Sequence, residues 1–230
     1  MFVSLKHPYI SVAADGTASY GGNQMRSANG TERAVGCGLI AGLDLLLYLS
    51  RYHLQDTPEA APLPFDGEAI PDERYWALVS SLRKKYLPLI PRHGINGLFL
   101  ALGLNAWFLK HRFPFRAFWA VPYPRLWNSI RDMLERDLPV VISVGPNLPL
   151  IWQRHKLRFY IKTPSGSYLP GPQTLAHYVT VTGMDEEWLR VSSWGRMYYI
   201  NRREYLLYVK EHSAKLVSNI LVIRKKGHGE

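Results

Sequence analysis

The sequence holds a single cysteine, Cys37, set between Gly36 and Gly38 at the head of an apolar run from Leu39 to Tyr48. A run that is apolar at nearly every position reads as a helix buried on all sides. In the first turn of such a helix the backbone N–H groups lack intrahelical partners, and the dipole favours negative charge. A thiol placed there can serve as a nucleophile, because the thiolate is the reactive form and its own N–H can steady an oxyanion. Gly36 and Gly38 would leave room for a substrate beside the sulfur. The plainer alternative for a lone cysteine is a small hydrophobe in the core.

Nucleophilic work also needs a base and a second oxyanion donor. The chain has eight histidines. His7, His53, His93, His111, His155, His212 and His228 fall in expected loops, helix ends or termini. His177 alone lies inside a strand-like segment, Leu175 to Gly183, where alternation puts it on one face with Val179 and Val181. Gln24, in the polar loop before Cys37, carries a side-chain amide suited to an oxyanion hole. Two tryptophans are weaker candidates for substrate contact. Trp194 would wall the site next to the histidine. Trp152 ends a loop, Pro146 to Trp152, that would overhang the cleft.

The elements expected to carry these residues change character halfway along the chain. Tyr9 to Arg33 is rich in Gly, Ser, Asn and Thr and reads as extended or loop structure. Gln55 to Pro71 reads as a surface connection. Helices are expected from Asp72 to about Tyr86 and from Ile95 to Lys110. From Phe113 onward strands dominate: Phe115–Val121, Pro139–Val144, a hairpin from Leu157 to Leu169, Leu175–Gly183, Trp188–Trp194, Arg196–Ile200 and Lys215–Ile223. Two helices interrupt them, Pro124–Asp137 and a short one capped by Asn201. This is an α+β pattern within one domain spanning 1–230, with a helical lobe over about 20–113 and an antiparallel sheet lobe over about 114–226.

Taken in order, Gly22-Asn23-Gln24, Gly36-Cys37-Gly38, Ala176-His177-Tyr178-Val179-Thr180-Val181-Thr182-Gly183 and Ser193-Trp194-Gly195 resemble the papain-like cysteine peptidases. The likeness is to the bacterial branch that includes the double-glycine leader peptidases of bacteriocin export, and it runs from about Gln24 to Ile200. It implies a papain-like fold, with Cys37 as nucleophile, His177 as general base and acid, and Gln24 in the oxyanion hole. The family orients its imidazole with Asn or Asp; here Ser192 takes that place, with a hydroxyl that can accept a ring N–H but brings no charge. The resemblance also implies a peptide or other amide substrate and a bacterial source, while a single cysteine, which can form no intramolecular disulfide, makes the cytoplasm the default setting.

Composition bounds the rest. At 230 residues and 47% hydrophobic, the chain can bury a substantial core, and its aromatic content argues against disorder. The net charge is +10. Arg112, Arg116, Arg125, Arg131, Arg136, Arg154, Lys156 and Arg158 sit among only three acids, a surface able to attract an anionic partner. Nucleic acid is not expected, since no helix-turn-helix, zinc finger or aromatic RNA-binding motif is present. No apolar stretch approaches the ~20 residues of a membrane span, and no start resembling a signal peptide is evident. Paired cysteines, a His-Glu-x-x-His run, a phosphate loop and a dinucleotide fingerprint are all missing, so the expected chemistry uses no metal or cofactor. Three uses of the site stay open: hydrolysis through an acyl-enzyme, transfer of the acyl group to an amine, and non-catalytic binding in the same cleft.

Overall fold

The computed structural model describes residues 2–54, 63, 68–149 and 152–226. Most of the expected connection from Gln55 to Pro71, and Leu150 and Ile151 of the loop ending at Trp152, lie outside the described residues. The order of elements is β1 (Val3–Ser4), β2 (Ser11–Ala14), β3 (Thr17–Tyr20), α1 (Gly30–Val35), α2 (Cys37–Tyr52), β4 (Ile70–Pro71), α3 (Asp72–Lys85), α4 (Gly97–Lys110), β5 (Phe115–Trp119), α5 (Leu126–Glu135), β6 (Val140–Val144), β7 (Leu157–Lys162), β8 (Tyr168–Thr174), β9 (His177–Met184), β10 (Trp188–Ser193), β11 (Arg196–Asn201), α6 (Arg202–His212) and β12 (Ile220–Lys225). The class is α+β, as the sequence pattern predicts.

The main sheet runs β5-β12-β6-β9-β10-β11-β7-β8, and every pairing in it is antiparallel. Val3–Ser4 continues the β6 side of β9, opposite Met184 and Gly183. The polar stretch after Tyr9 is more ordered than expected. Asp15 and Gly16, both at positive φ, turn β2 into β3, and alternating residues on either side of an Asp-Gly pair are a hairpin signal. Asn29 then caps α1 by accepting from the N–H groups of Thr31 and Glu32.

Helix α2 is the central element. Every residue from Gly38 to Ser50 is buried, and its neighbours include β9, β6, α3 and α4. Two buried carboxylates fasten it. Asp44 accepts from Gly22 N–H at 2.9 Å and from the Tyr75 hydroxyl of α3 at 2.7 Å. One turn on, the Tyr48 hydroxyl donates at 2.6 Å to Asp137, which also receives the Lys6 N–H at 2.6 Å. The helix that carries Cys37 is thus tied to the loop before it, to α3 and to the turn leading into β6.

Strand β5 forms one edge of the sheet, where free backbone groups would ordinarily invite pairing. The Asn105 side chain of α4 occupies that edge: its amide donates to Ala117 O and its carbonyl accepts from Ala117 N–H, both at 2.8 Å. Replacing Asn105 with Ala leaves both groups of Ala117 unpartnered. The expected cost is about 1–3 kcal/mol, measured as a fall in the urea midpoint at unchanged slope.

Candidate active site

Gly36 is the residue before α2 and has no side chain to cap it. The first intrahelical bond runs from Ile40 N–H to Gly36 O at 3.0 Å, so the N–H groups of Cys37, Gly38 and Leu39 find no carbonyl within the helix. Backbone N–H groups of Tyr178, Gly38 and Cys37 face the sulfur and favour its ionised form. Burial outweighs them and pushes the Cys37 thiol above its ordinary pKa. The lowered value that a helix N-terminus alone would give is therefore not found here.

The two flanking glycines serve the chain's own packing. A methyl group at Gly36 would run into the Glu32 carbonyl at the end of α1, and one at Gly38 would meet Ile95 and the Tyr178 ring at 2.6 and 3.1 Å. The room expected for a substrate beside Gly36 and Gly38 is taken by these neighbours.

Burial pushes His177 down to about 3, so at neutral pH its ring is uncharged. Its Nε2 lies 2.8 Å from Ser193 Oγ. The orienting place assigned to Ser192 is therefore filled by Ser193. Adjacent residues of a strand project to opposite faces, and Ser192 instead donates to Tyr20 O at 2.7 Å, tying β3 to β10. Trp194 stacks on the His177 ring, centroids 4.4 Å apart and planes 14° from parallel. It holds that position from a two-residue turn, Trp194-Gly195, in which both φ values are positive. This conformation costs a bulky residue backbone strain.

Gln24 is buried in a short 3₁₀ turn, Gln24–Arg26, and its Nε2 donates to Arg33 O at 2.9 Å. One N–H of that amide remains for another acceptor. Gln24, Cys37 and His177 all line one cleft of about 660 Å³, together with Ile95, Trp119, Val144 and Leu216. Pro146 lines it as well, but Trp152 does not: it is 72% exposed and contributes to none of the cavities that hold Cys37. Among the described residues no hydrogen bond joins the Cys37 thiol to the His177 ring.

Behind the cleft a water-sized chamber of about 20 Å³ is lined by Cys37, Ala41, Asp44, His177, Thr180 and Ser192. Positions 37, 41 and 44 follow the spacing of one helix face. Asp44 is absent from the sequence-based site, although a lone acid two turns after the cysteine, on an otherwise apolar helix, was a readable signal. Burial raises its pKa to about 6, against the opposing pull of Gly22 N–H and the Tyr75 and Tyr9 hydroxyls. No cluster of three or more metal-ligating side chains occurs among the described residues.

The site thus joins a thiol, an imidazole and a side-chain amide in one cleft of an α+β fold. No family model matches the chain, and no curated protein matches it. Among solved structures, the chain is similar to a crystal structure of a "putative C39-like peptidase" from Bacillus anthracis, at 13% identity and a TM-score of 0.46 over 99% of each chain. At that identity and score, any account of the site rests on this chain's own geometry.

The two shifted groups act oppositely on stability. His177 titrates lower in the folded than in the unfolded chain, so its contribution is present above pH ~6.5 and is lost as pH falls toward ~3. Asp44 titrates higher when folded, so its contribution is present below pH 3.8 and is lost as pH rises through about 6. Between pH ~4 and ~6 the two slopes cancel. Asp44→Asn is expected to unmask the histidine: across that window the variant's unfolding free energy should drop by about 1.4 kcal/mol per pH unit on acidification, relative to wild type. Urea titrations at several pH values read this directly, and parallel profiles would count against it.

Proposed function

We propose that this chain is a papain-like cysteine peptidase or amide hydrolase, with Cys37 as nucleophile, His177 as general base and acid, and Gln24 in the oxyanion hole. The observation that carries the proposal is the convergence of the three on one cleft, with the thiol at an uncapped helix start and the imidazole held on both sides. With Ser193 Oγ as acceptor, the ring proton sits on Nε2 and leaves Nδ1 as the basic nitrogen. The raised thiol and lowered imidazole mean that the resting pair is neutral, so the proton moves during attack rather than before it.

In the proposed reaction, Cys37 Sγ bonds to the carbonyl carbon of an amide while its proton passes to His177. The carbonyl oxygen becomes an oxyanion, held by the Cys37 N–H and the free N–H of Gln24. The C–N bond breaks as His177 returns the proton to the leaving amine, and a thioester remains on Cys37. Water, deprotonated by His177, then attacks the thioester carbon; the C–S bond breaks, the acid leaves, and His177 returns the proton to Cys37 Sγ. The Trp194 face stacked on the ring supports the imidazolium during each step. The apolar lining by Ile95, Trp119, Val144 and Leu216 suits an apolar side chain near the scissile bond. Transfer of the same acyl group to an amine would use this constellation up to the thioester.

One observation favours the rival reading of a binding module. Ser193 offers the imidazole no charge, and the buried ring holds a proton poorly. A peptidyl epoxide, which traps an activated cysteine irreversibly, separates the two. Peptidase activation predicts a single adduct on Cys37, seen by intact mass, with trapping and amide hydrolysis slowed about a hundredfold or more in His177→Ala and in Gln24→Ala. Trapping at the wild-type rate in both variants would leave the cleft as a binding site without catalysis.

A further inference from the structure

Helix α4 carries an unpartnered apolar face. The helix buries Leu100, Ala101, Leu104, Trp107 and Phe108 against the core, yet Leu98, Phe99, Leu102, Ala106 and Leu109 are exposed. Four of these are large side chains between 53% and 74% exposed. At 100° per residue they fall within one arc, and the fourteen residues of α4 make a rod about 21 Å long. A contiguous apolar face of this kind marks an interaction surface.

The stretch of chain that carries it is basic throughout, although Arg83 is already paired with Glu32 of α1 at 3.0 Å. From Arg74 to Arg131 the chain holds Arg74, Arg83, Lys84, Lys85, Arg92, Lys110, Arg112, Arg116, Arg125 and Arg131, and not one Asp or Glu. Arg92 lies just before α4, and Lys110 is its last residue. The end of α3 joins that second end, where the Tyr86 ring lies 6.3 Å from His111, bringing Lys84 and Lys85 into the neighbourhood.

We infer that the exposed face of α4 docks on an anionic lipid surface, its leucines and Phe99 entering the acyl boundary and the flanking lysines and arginines meeting the headgroups. A protein partner would ordinarily exchange about one hydrogen bond per 100–200 Å² with such a face. Between its two ends this one presents carbon alone. Its surface is also a convex rod rather than a groove, and an apolar arc with basic ends is the pattern of a helix lying in a membrane interface. Leu98 lines the same cleft as Cys37, so docking would set the cleft mouth beside the headgroups. The inference does not depend on catalysis at Cys37.

Co-sedimentation of the full chain with vesicles tests it, using phosphatidylcholine alone and an equimolar mixture with phosphatidylglycerol. Partition into the mixed vesicles only is expected, weakening with salt. Leu102→Glu with Leu109→Glu, and separately Lys85→Glu with Lys110→Glu, should each weaken partition about tenfold or more. All four side chains are exposed, so unchanged thermal melting would verify that both variants fold. Failure of the wild type to sediment with mixed vesicles overturns the inference. So does partition that the leucine substitutions leave unchanged, which would mean charge attraction without insertion. A dimer dissolved by the same leucine substitutions, with no vesicle binding, would assign the face to a second copy and equally overturn it.

Discussion

The contact on which the site depends is the Asp44 carboxylate, buried inside an apolar helix. An ionised carboxyl away from water is costly unless donors surround it. Here Gly22 N–H, the Tyr75 hydroxyl and the Tyr9 hydroxyl converge on it. Each donor comes from a different stretch of chain, so satisfying one charge fixes three segments at once. Gly22 stands two residues before Gln24, and its carbonyl accepts from Gly195 N–H at the turn that holds Trp194. The Gln24 amide, the Trp194 wall of the imidazole and the helix that carries Cys37 are all registered to one buried acid.

The elements legible in the sequence were those whose signal is local. The all-apolar run predicts α2, Asn201 predicts the start of α6, and strand alternation predicts β9 to within two residues. The Asp15-Gly16 turn was equally local. It escaped because the surrounding Gly and Ser content outweighed the short strands on either side.

The finer site features depended on information that spacing does not carry. Whether Ser192 or Ser193 meets His177 turns on which face each presents, and a register shift between Arg190 and Val191 breaks simple counting along β10. Glycines beside a cysteine signal empty space without saying who fills it, and at Gly36 and Gly38 the fold itself does. The thiol's pKa was likewise beyond reach, since a helix start and desolvation act on it in opposite directions and only the structure shows which prevails. Trp152 is exposed and lines neither described cavity that holds Cys37, a placement that its position in a loop does not reveal.

The two-residue turn between β10 and β11 has a consequence for how this molecule tolerates change. Its first position is a tryptophan in a backbone conformation better suited to Asn or Gly, and the same tryptophan is the surface against which the imidazole lies flat. Substitutions that relax the turn remove the stack, and substitutions that keep an aromatic ring keep the strain. Local comfort and site geometry are traded at a single codon, so sequence drift there cannot improve one without eroding the other.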